Sequence, residues 1–147
     1  MGRLDRVLGP KRGYGGIIVF ARTALADIAV VEYITDAERM WCVLHTNLGA
    51  LLIGNWYRPP DEDGSSVIIL PTEIERLRCD CVGVILLGDI NIHHKRWLRH
   101  SYSNTELGER RWELCKDVGL KQIIAKPTRG EYLLDLILTD APELCKV

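Results

Sequence analysis

The run Val82–Leu87 constrains the fold more than any other feature of this sequence. It reads Val-Gly-Val-Ile-Leu-Leu, and aspartates stand on either side of it at Asp80 and Asp89. A strand that is apolar at nearly every position, instead of at every second one, is typical of a strand covered on both faces of its sheet. The sequence therefore predicts a central sheet with further layers of structure packed against it.

Shorter runs of β-branched and apolar residues predict more strands around this one. They are expected at residues 15–20, 28–33, 40–46, 50–57, 121–125 and 133–139. The first four follow one another with short connections, including hairpin-type turn residues at 47–49, so we expect an antiparallel meander. Residues 1–14 show no apolar periodicity and are expected to be a loop or a disordered end, ahead of a single partial domain at 15–147.

Two stretches predict helices. The first begins at Ser65 or Ser66, and its apolar residues recur every three or four positions. Pro71 fits this helix only in the first turn, unless the helix begins after it. The second helix spans residues 105–118 and ends before Gly119. Helices and strands together predict a mixed α/β domain.

Charge and cysteine content narrow the possible functions. Nineteen basic residues against twenty acidic ones give a net charge of -1, whereas proteins that bind nucleic acid through an overall field carry a basic excess. Any nucleic-acid binding must therefore depend on a local site. Five cysteines without a Cys-x-x-Cys pair disfavour a disulfide framework and structural zinc, and fit an intracellular location. Every apolar run is far shorter than the roughly 20 residues that cross a bilayer, so we expect no membrane span.

The segment Gly88-Asp89-Ile90-Asn91 places a carboxylate and an amide directly after the central strand. Strand ends hold side chains rigidly while exposing them to a cleft. Asp89 can orient or deprotonate a water molecule or help to hold a metal, and the Asn91 amide can donate to a phosphoryl oxygen. The alternative is a simple Asx turn that leaves the strand.

Three other places carry polar groups with two possible interpretations. Asp135 interrupts an apolar strand, which indicates either a functional carboxylate or a buried structural salt bridge. Tyr57 and Arg58 stand at the end of a strand. They are either partners for a phosphate or simply a packed aromatic ring and a surface charge. His93 opens the basic stretch 93–100, which binds backbone phosphate or is simply a solvated loop; adjacent histidines there do not favour zinc.

Several of these fragments occur in one order along the chain. They are a strand led by Gly15-Gly16, then Tyr-Arg-Pro-Pro from Tyr57, Gly-Asp-Ile-Asn from Gly88, Pro-Thr-Arg-Gly from Pro127 and Leu-Asp-Leu-Ile-Leu-Thr from Leu134. In this order the chain resembles the endonuclease/exonuclease/phosphatase superfamily, and it looks most like the apurinic-type endonuclease domain of non-LTR (LINE-like) retrotransposons. The resemblance extends from about Gly15 to Thr139 and implies a four-layer α/β sandwich.

The resemblance also implies an activity, which is magnesium-dependent cleavage of DNA phosphodiester bonds. By position, Asp89 would activate or orient the attacking water and Asn91 would contact the scissile phosphate. Tyr57 would stabilise the transition state or leaving group, and Asp135 would support the hydrogen-bond network of the site. The candidates for contacts to the substrate are Arg58, Thr128, Arg129 and His93.

The chain departs from the family pattern at both ends. The family carries an asparagine and a metal-binding glutamate ahead of the Gly-Gly strand, and the fourteen residues before Gly15 offer neither. The chain also stops before the family's terminal Ser-Asp-His motif. We therefore assign no metal ligand within these residues and expect an internal fragment, inactive by itself, of a retrotransposon-derived polyprotein. DNA is the expected partner, a reverse transcriptase domain in the same polyprotein is a further candidate, and an active parent element would place the protein in the nucleus.

Two alternatives to the nuclease remain open. One is a catalytically inactive remnant, or a nucleic-acid-binding module, that keeps the same fold. The other is a phosphatase of the same superfamily, against which the Tyr-Arg-Pro-Pro and Pro-Thr-Arg-Gly motifs argue.

Overall fold

A computed structural model describes residues 2–7, 13–22, 28–34, 36–95, 101 and 103–146. Its strands are β1 Gly2–Val7, β2 Gly13–Val19, β3 Ile28–Ile34, β4 Arg39–Thr46, β5 Gly49–Trp56, β6 Cys81–Asp89, β7 Lys121–Gln122 and β8 Asp135–Thr139. Its α-helices are α1 Ser65–Ile68, α2 Leu70–Leu77 and α3 Glu106–Asp117, and a 3-10 helix spans Pro142–Leu144.

The strands form two sheets. β1 and β2 pair as an antiparallel hairpin-like sheet, and the other six strands are ordered β3-β4-β5-β6-β8-β7. β3, β4 and β5 form an antiparallel meander, whereas β6 runs parallel to β5 and antiparallel to β8. Helices α1 and α2 make the crossover between the parallel strands, as a parallel pair requires. The mixed α/β class predicted from the sequence is confirmed.

The two faces of the six-stranded sheet are covered differently. One face packs against the three α-helices and contains the fully buried side chains of Trp41, Leu52, Trp56, Val84, Leu86 and Leu138. The other face is covered in part by β2, where Ile17 packs on Met40 and Cys42. Further along that face, Ile85, Leu87 and Ile137 are only half-buried. The predicted burial is therefore confirmed for Val84 and Leu86 but not for these three residues.

The N-terminal region differs from its sequence prediction. Gly2–Val7 is a strand rather than a loop, because its backbone pairs with β2 from Gly2 opposite Val19 to Val7 opposite Gly13. β2 consequently lies outside the six-stranded sheet, and the predicted four-stranded meander contains three strands. The apolar run at residues 15–20 predicts a strand buried in the central sheet, with Ile18 inside it. This prediction is wrong for Ile18, which is 41% exposed in the two-stranded sheet.

The helices differ from the prediction in one respect. The expected first helix is two helices, since Pro71 lies at the start of α2 and has no N–H to donate to the Val67 carbonyl one turn earlier. α3 follows its local sequence signals: the Thr105 hydroxyl accepts from the Gly108 amide at 3.0 Å, and Gly119 takes a left-handed conformation after the last turn. Among the described residues, no helix is long and apolar enough to cross a membrane.

Candidate active site

The polar residues identified in the sequence meet at one end of the six-stranded sheet. Asp89 ends β6, Asp135 begins β8, and the two lie directly opposite each other in the antiparallel ladder. Because β5 and β6 are parallel, the chain leaves β5 at this same end, and the Arg58 amide donates to the Asp89 carbonyl at 2.9 Å. We call this end the polar rim; it comprises residues 57–58, 89–91, 128–129 and 135.

Asp89 is the most buried carboxylate of the polar rim, with 17% of its side chain exposed. Its Oδ2 lies 3.3 Å from Nη2 of Arg129, while its Oδ1 is buried without a hydrogen-bond partner among the described residues. Burial raises the pKa of Asp89, and the negative charge of Asp135 raises it further, whereas Arg129 and the backbone amide of Asn91 oppose both effects. The site therefore holds a carboxylate that is more basic than an ordinary aspartate and has one oxygen available.

The backbone around Asp89 is shaped by two unusual conformations. Gly88 has a φ of 148°, and a Cβ at this position would overlap the Trp56 carbonyl, so only glycine fits there. Asn91 has a φ of 46°, in the left-handed region that asparagine tolerates better than most residues. Its side-chain amide donates to the Arg58 carbonyl at 2.9 Å, which ties the end of β6 to the end of β5. These two conformations and this contact hold the segment that leaves β6 in one place beside Asp89.

Arg58 lies beneath the polar rim rather than on its surface, with 2% of the residue exposed. Its guanidinium group donates to the carboxylate and the carbonyl of Glu62, and Nη1 donates to the Asn91 carbonyl at 3.3 Å. The interpretation of Arg58 as a surface charge is wrong. Its contacts show a residue that positions Asn91, so this geometry does not favour the predicted contact with substrate.

Asp135 is exposed at the first position of β8, so it does not interrupt a buried strand. The expectation of a buried carboxylate with a salt-bridge partner is therefore wrong, because the strand begins two residues later than the apolar run suggests. The Thr128 hydroxyl accepts from the amides of Leu134 and Asp135 at 3.1 and 3.0 Å, and so holds the start of β8 in place. Next to it, Arg129 is exposed and reaches Asp89.

Tyr57 and the histidines lie at the margins of the polar rim. Tyr57 is half-buried, packs against the cluster formed by Ile17, Met40 and Cys42, and follows directly from β5. His93 is half-buried, and its carbonyl accepts from the Thr105 amide and hydroxyl at the start of α3. Arg96, Trp97 and Arg99, which the sequence analysis placed in a basic loop, lie outside the described residues.

His94 shows why adjacent histidines were a weak metal signal. It is fully buried, its ring stacks on Trp112 at a centroid distance of 5.7 Å, and its Nε2 lies 3.1 Å from Oε2 of Glu109. These contacts give His94 a packing role beneath α3. The prediction of a solvated loop is therefore wrong at this position.

The carboxylates of the polar rim meet only part of what a magnesium site requires. Mg²⁺ prefers oxygen ligands, so the free Oδ1 of Asp89 and the nearby Asp135 have suitable chemistry. However, the described residues contain no group of three or more His, Cys, Asp or Glu side chains that could hold a metal ion. The metal cannot be placed with these residues alone, and no catalytic step can be derived through it.

One polar cluster next to the polar rim was not foreseen from the sequence. Arg39 makes two 2.7 Å hydrogen bonds to the Glu73 carboxylate, which also accepts from the Trp41 indole at 2.8 Å. We call Arg39, Trp41 and Glu73 the Arg39 network; Arg39 and Glu73 are 34 residues apart and no local pattern connects them. The guanidinium carbon of Arg39 also lies 4.4 Å from the centre of the Trp56 ring. Through this cation–π contact, the network holds the last residue of β5 in place.

Comparisons with known proteins support the fold that this geometry describes. No protein-family model and no curated protein matches the sequence. A solved structure, the endonuclease domain of TRAS1, a telomere-specific non-LTR retrotransposon, matches with a TM-score of 0.55 and 19% sequence identity. The match covers 76% of this chain and 54% of that domain, so the chain spans about half the length of the structure it resembles.

The chain therefore has the mixed α/β fold of that domain. The resemblance to the endonuclease domain of a non-LTR retrotransposon, which the sequence motifs predicted, is confirmed at the level of the fold. The structure brings Tyr57, Asp89, Asn91 and Asp135 to one end of the sheet, and their catalytic roles remain predictions. The same holds for the proposed substrate contacts of Arg58, Thr128, Arg129 and His93.

Proposed function

We propose that this chain carries the polar rim of a metal-dependent DNA endonuclease derived from a non-LTR retrotransposon. The proposal is supported by one observation above all: Oδ1 of Asp89 is buried and has no hydrogen-bond partner in the part of the chain that the structure describes. Leaving a buried carboxylate oxygen without a partner costs stability. Such an atom is typical of a site that binds a ligand or a water molecule.

The residues of the polar rim suit the hydrolysis of a phosphodiester. Asp89, with its raised pKa, would accept a hydrogen bond from the attacking water and take up its proton. Arg129 is exposed beside it and would contact a negatively charged phosphate. Asn91 would donate to a phosphoryl oxygen once its amide is released from the Arg58 carbonyl or through its second N–H.

We further propose that the 147 residues by themselves cleave DNA poorly or not at all. The described residues lack a three-ligand metal cluster, and loss of one member of a cooperating catalytic set commonly removes several orders of magnitude of rate. A second candidate function, a nucleic-acid-binding module of the same fold, is favoured by this same absence. A phosphatase of the superfamily remains the third candidate.

Nicking of supercoiled plasmid with and without magnesium tests the proposal, with DNA binding measured in parallel. Asp89→Ala removes the central carboxylate, and Asp117→Ala removes an exposed carboxylate at the far end of α3 as the matched control. Arg129→Gln tests the phosphate contact, with Arg110→Gln as its control. We expect the chain to bind DNA and the Arg129→Gln variant alone to bind it more weakly. We expect none of the proteins to nick the plasmid above background.

Each other outcome changes one part of the proposal. Nicking that requires magnesium, and that Asp89→Ala abolishes while Asp117→Ala preserves, would establish the nuclease and contradict the expected inactivity. DNA binding without nicking in any longer form of the protein would support the binding module. Neither binding nor nicking, or binding unaffected by Arg129→Gln, would contradict a DNA site at the polar rim.

A further inference from the structure

A cavity of about 300 Å³ lies between the C-terminal end of α3 and β7, away from the polar rim. Lys121 in β7 lies opposite Thr139, the last residue of β8, whereas Asp135 at the first residue faces Asp89. Four residues of extended strand span roughly 13 Å, so the cavity and the polar rim are at different ends of β8. The volume falls at the lower limit of cavities that bind small molecules.

The inner wall of the cavity is apolar and contains one aromatic ring. Leu120 and Cys115 are buried at its base, and Trp112 is half-buried along its side. The stacking of His94 on Trp112 holds the indole in a fixed orientation. The Lys116 ammonium also lies over this ring, 5.8 Å from its centre. A rigid indole beside a space of this size provides a surface on which a planar ring can stack in exchange for that ammonium.

The polar groups of the cavity are of two kinds. Lys116 and Lys121 are exposed at its edge, and Nζ of Lys116 lies 5.8 Å from the Trp112 ring centre. Gln122 donates through Nε2 to the Ile124 carbonyl at 2.8 Å, while its Oε1 is buried without a hydrogen-bond partner in the described part of the chain. An unpaired, buried acceptor is unfavourable unless a ligand or water donates to it.

These three features match the three parts of one ligand. A planar ring suits Trp112, a hydrogen-bond donor on that ring suits Oε1 of Gln122, and a phosphate suits the two lysines. A nucleobase with an amino group, joined to a phosphate, combines all of them. A second cavity of about 260 Å³, beside Glu75 and Arg78, has no aromatic ring on its wall and does not match this chemistry.

We propose that the Trp112 cavity binds a nucleotide unit, with the base against Trp112 and Gln122 and the phosphate at Lys116 and Lys121. The nucleotide is either free or part of a single strand that passes this end of the domain. This proposal does not depend on catalysis at the polar rim, because no residue is shared between the two places.

Calorimetric titration of the 147-residue chain with AMP, ribose 5-phosphate and a short oligodeoxyadenylate tests the proposal, while the indole N–H signal of Trp112 in nuclear magnetic resonance spectra reports the location. We expect AMP to bind and to shift the Trp112 signal, and ribose 5-phosphate to bind at least about tenfold more weakly, because it lacks the base. An oligonucleotide that binds more tightly than AMP identifies a single strand as the source of the nucleotide.

Three variants examine the separate contacts. Gln122→Leu removes the unpaired acceptor and should weaken AMP binding by about tenfold. Lys116→Gln with Lys121→Gln removes the phosphate contacts and should weaken it similarly, while Lys126→Gln, an exposed lysine outside the cavity, should leave it unchanged. Circular dichroism establishes that each variant is folded.

Two results would overturn the proposal. One is AMP binding, or a Trp112 shift, that these variants do not alter. The other is oligonucleotide binding that only Arg129→Gln weakens, which would locate the strand at the polar rim. If the nicking and DNA-binding assays contradict a site at the polar rim, the AMP titration still tests the cavity. The two proposals can therefore be contradicted separately.

Discussion

The polar rim and the Arg39 network lie at the same end of the sheet, but they differ in how their buried carboxylates are compensated. Arg39 pairs with Trp56 in the β4–β5 ladder, and Trp56 directly precedes Tyr57 of the polar rim. The two clusters are therefore neighbours. In the network, the buried carboxylate of Glu73 receives three hydrogen bonds from the side chains of Arg39 and Trp41. In the rim, Asp89 faces a second carboxylate and lies 3.3 Å from the exposed guanidinium of Arg129. Its Oδ1 has no hydrogen-bond partner among the described residues.

This difference separates a cluster that stabilises the fold from one that costs stability. A buried ion pair with further hydrogen bonds becomes strongly destabilising only when one partner is removed. A buried carboxylate with a raised pKa destabilises the folded state at neutral pH, because folding makes its ionised form less favourable. We infer that the polar rim is retained for binding or chemistry, and three substitutions test the comparison.

The largest effect is expected for Glu73→Gln. The substitution leaves the Arg39 guanidinium buried without a compensating charge, which typically costs about 3–5 kcal/mol. Glu75→Gln alters an exposed glutamate two residues along in α2 and should change the free energy of unfolding by less than about 0.5 kcal/mol. Urea unfolding of both variants measures the difference. Equal and small losses would show that the Arg39 network does not support the fold.

A smaller effect is expected for Thr128→Val, which keeps the side-chain shape and removes the hydroxyl. Two amides at the start of β8 lose their acceptor, but both can reach water because the loop is exposed, so we expect a loss of about 1 kcal/mol. Faster hydrogen exchange at the Asp135 amide should accompany it. Thr72→Val, in an exposed position of α2, is the control. Unchanged exchange at Asp135 would mean that Thr128 does not hold the strand end.

The smallest effect, and the only stabilising one, is expected for Asp89→Asn. The folded pKa of Asp89 is raised, so the folded state binds its proton more tightly than the unfolded state does. Stability therefore falls as pH rises above the unfolded value of about 3.9, and this loss is complete once the pH exceeds the folded pKa. Removing the charge should raise Tm at pH 7 by about 1–3 °C.

The pH dependence provides the control for this prediction. As the pH falls below about 3, the carboxyl group becomes largely protonated in both states, so the advantage of Asp89→Asn should shrink toward zero there. Asp61→Asn, in the exposed loop after β5, should show no such gain at pH 7. A lower Tm for Asp89→Asn at neutral pH would mean that the contact with Arg129 outweighs burial and the charge of Asp135.

The features foreseen correctly from the amino-acid order are those with local causes. The strand that ends at Asp89, and the burial of Val84 and Leu86 within it, follow from a continuous apolar run. The boundaries of α3 follow from Thr105 at its start and Gly119 after its end, both of which act within one helical turn. The fold class was also predicted, by another route. The Tyr-Arg-Pro-Pro, Gly-Asp-Ile-Asn and Pro-Thr-Arg-Gly motifs follow one another in the order found in a known superfamily, and that resemblance implied the fold.

The features that local reasoning missed depend on residues far apart in the chain. Whether a charged side chain is buried depends on its partners. Arg39 pairs with Glu73, 34 residues away, and Arg58 donates to the Asn91 carbonyl, 33 residues away. The pairing of β1 with β2 likewise depends on which backbone groups remain free, not on side-chain periodicity.

Asp89 and Asp135 illustrate the division between the two sources of information. Both residue types, and the position of Asp89 at a strand end, were readable from the sequence, which therefore identified both residues as candidates. Their apposition exists only because β8 pairs antiparallel with β6 in a particular register, and a shift of one residue would have turned one of them to the other face. The unequal burial of these two carboxylates, and hence the raised pKa of Asp89, follows from that register and from the packing around it.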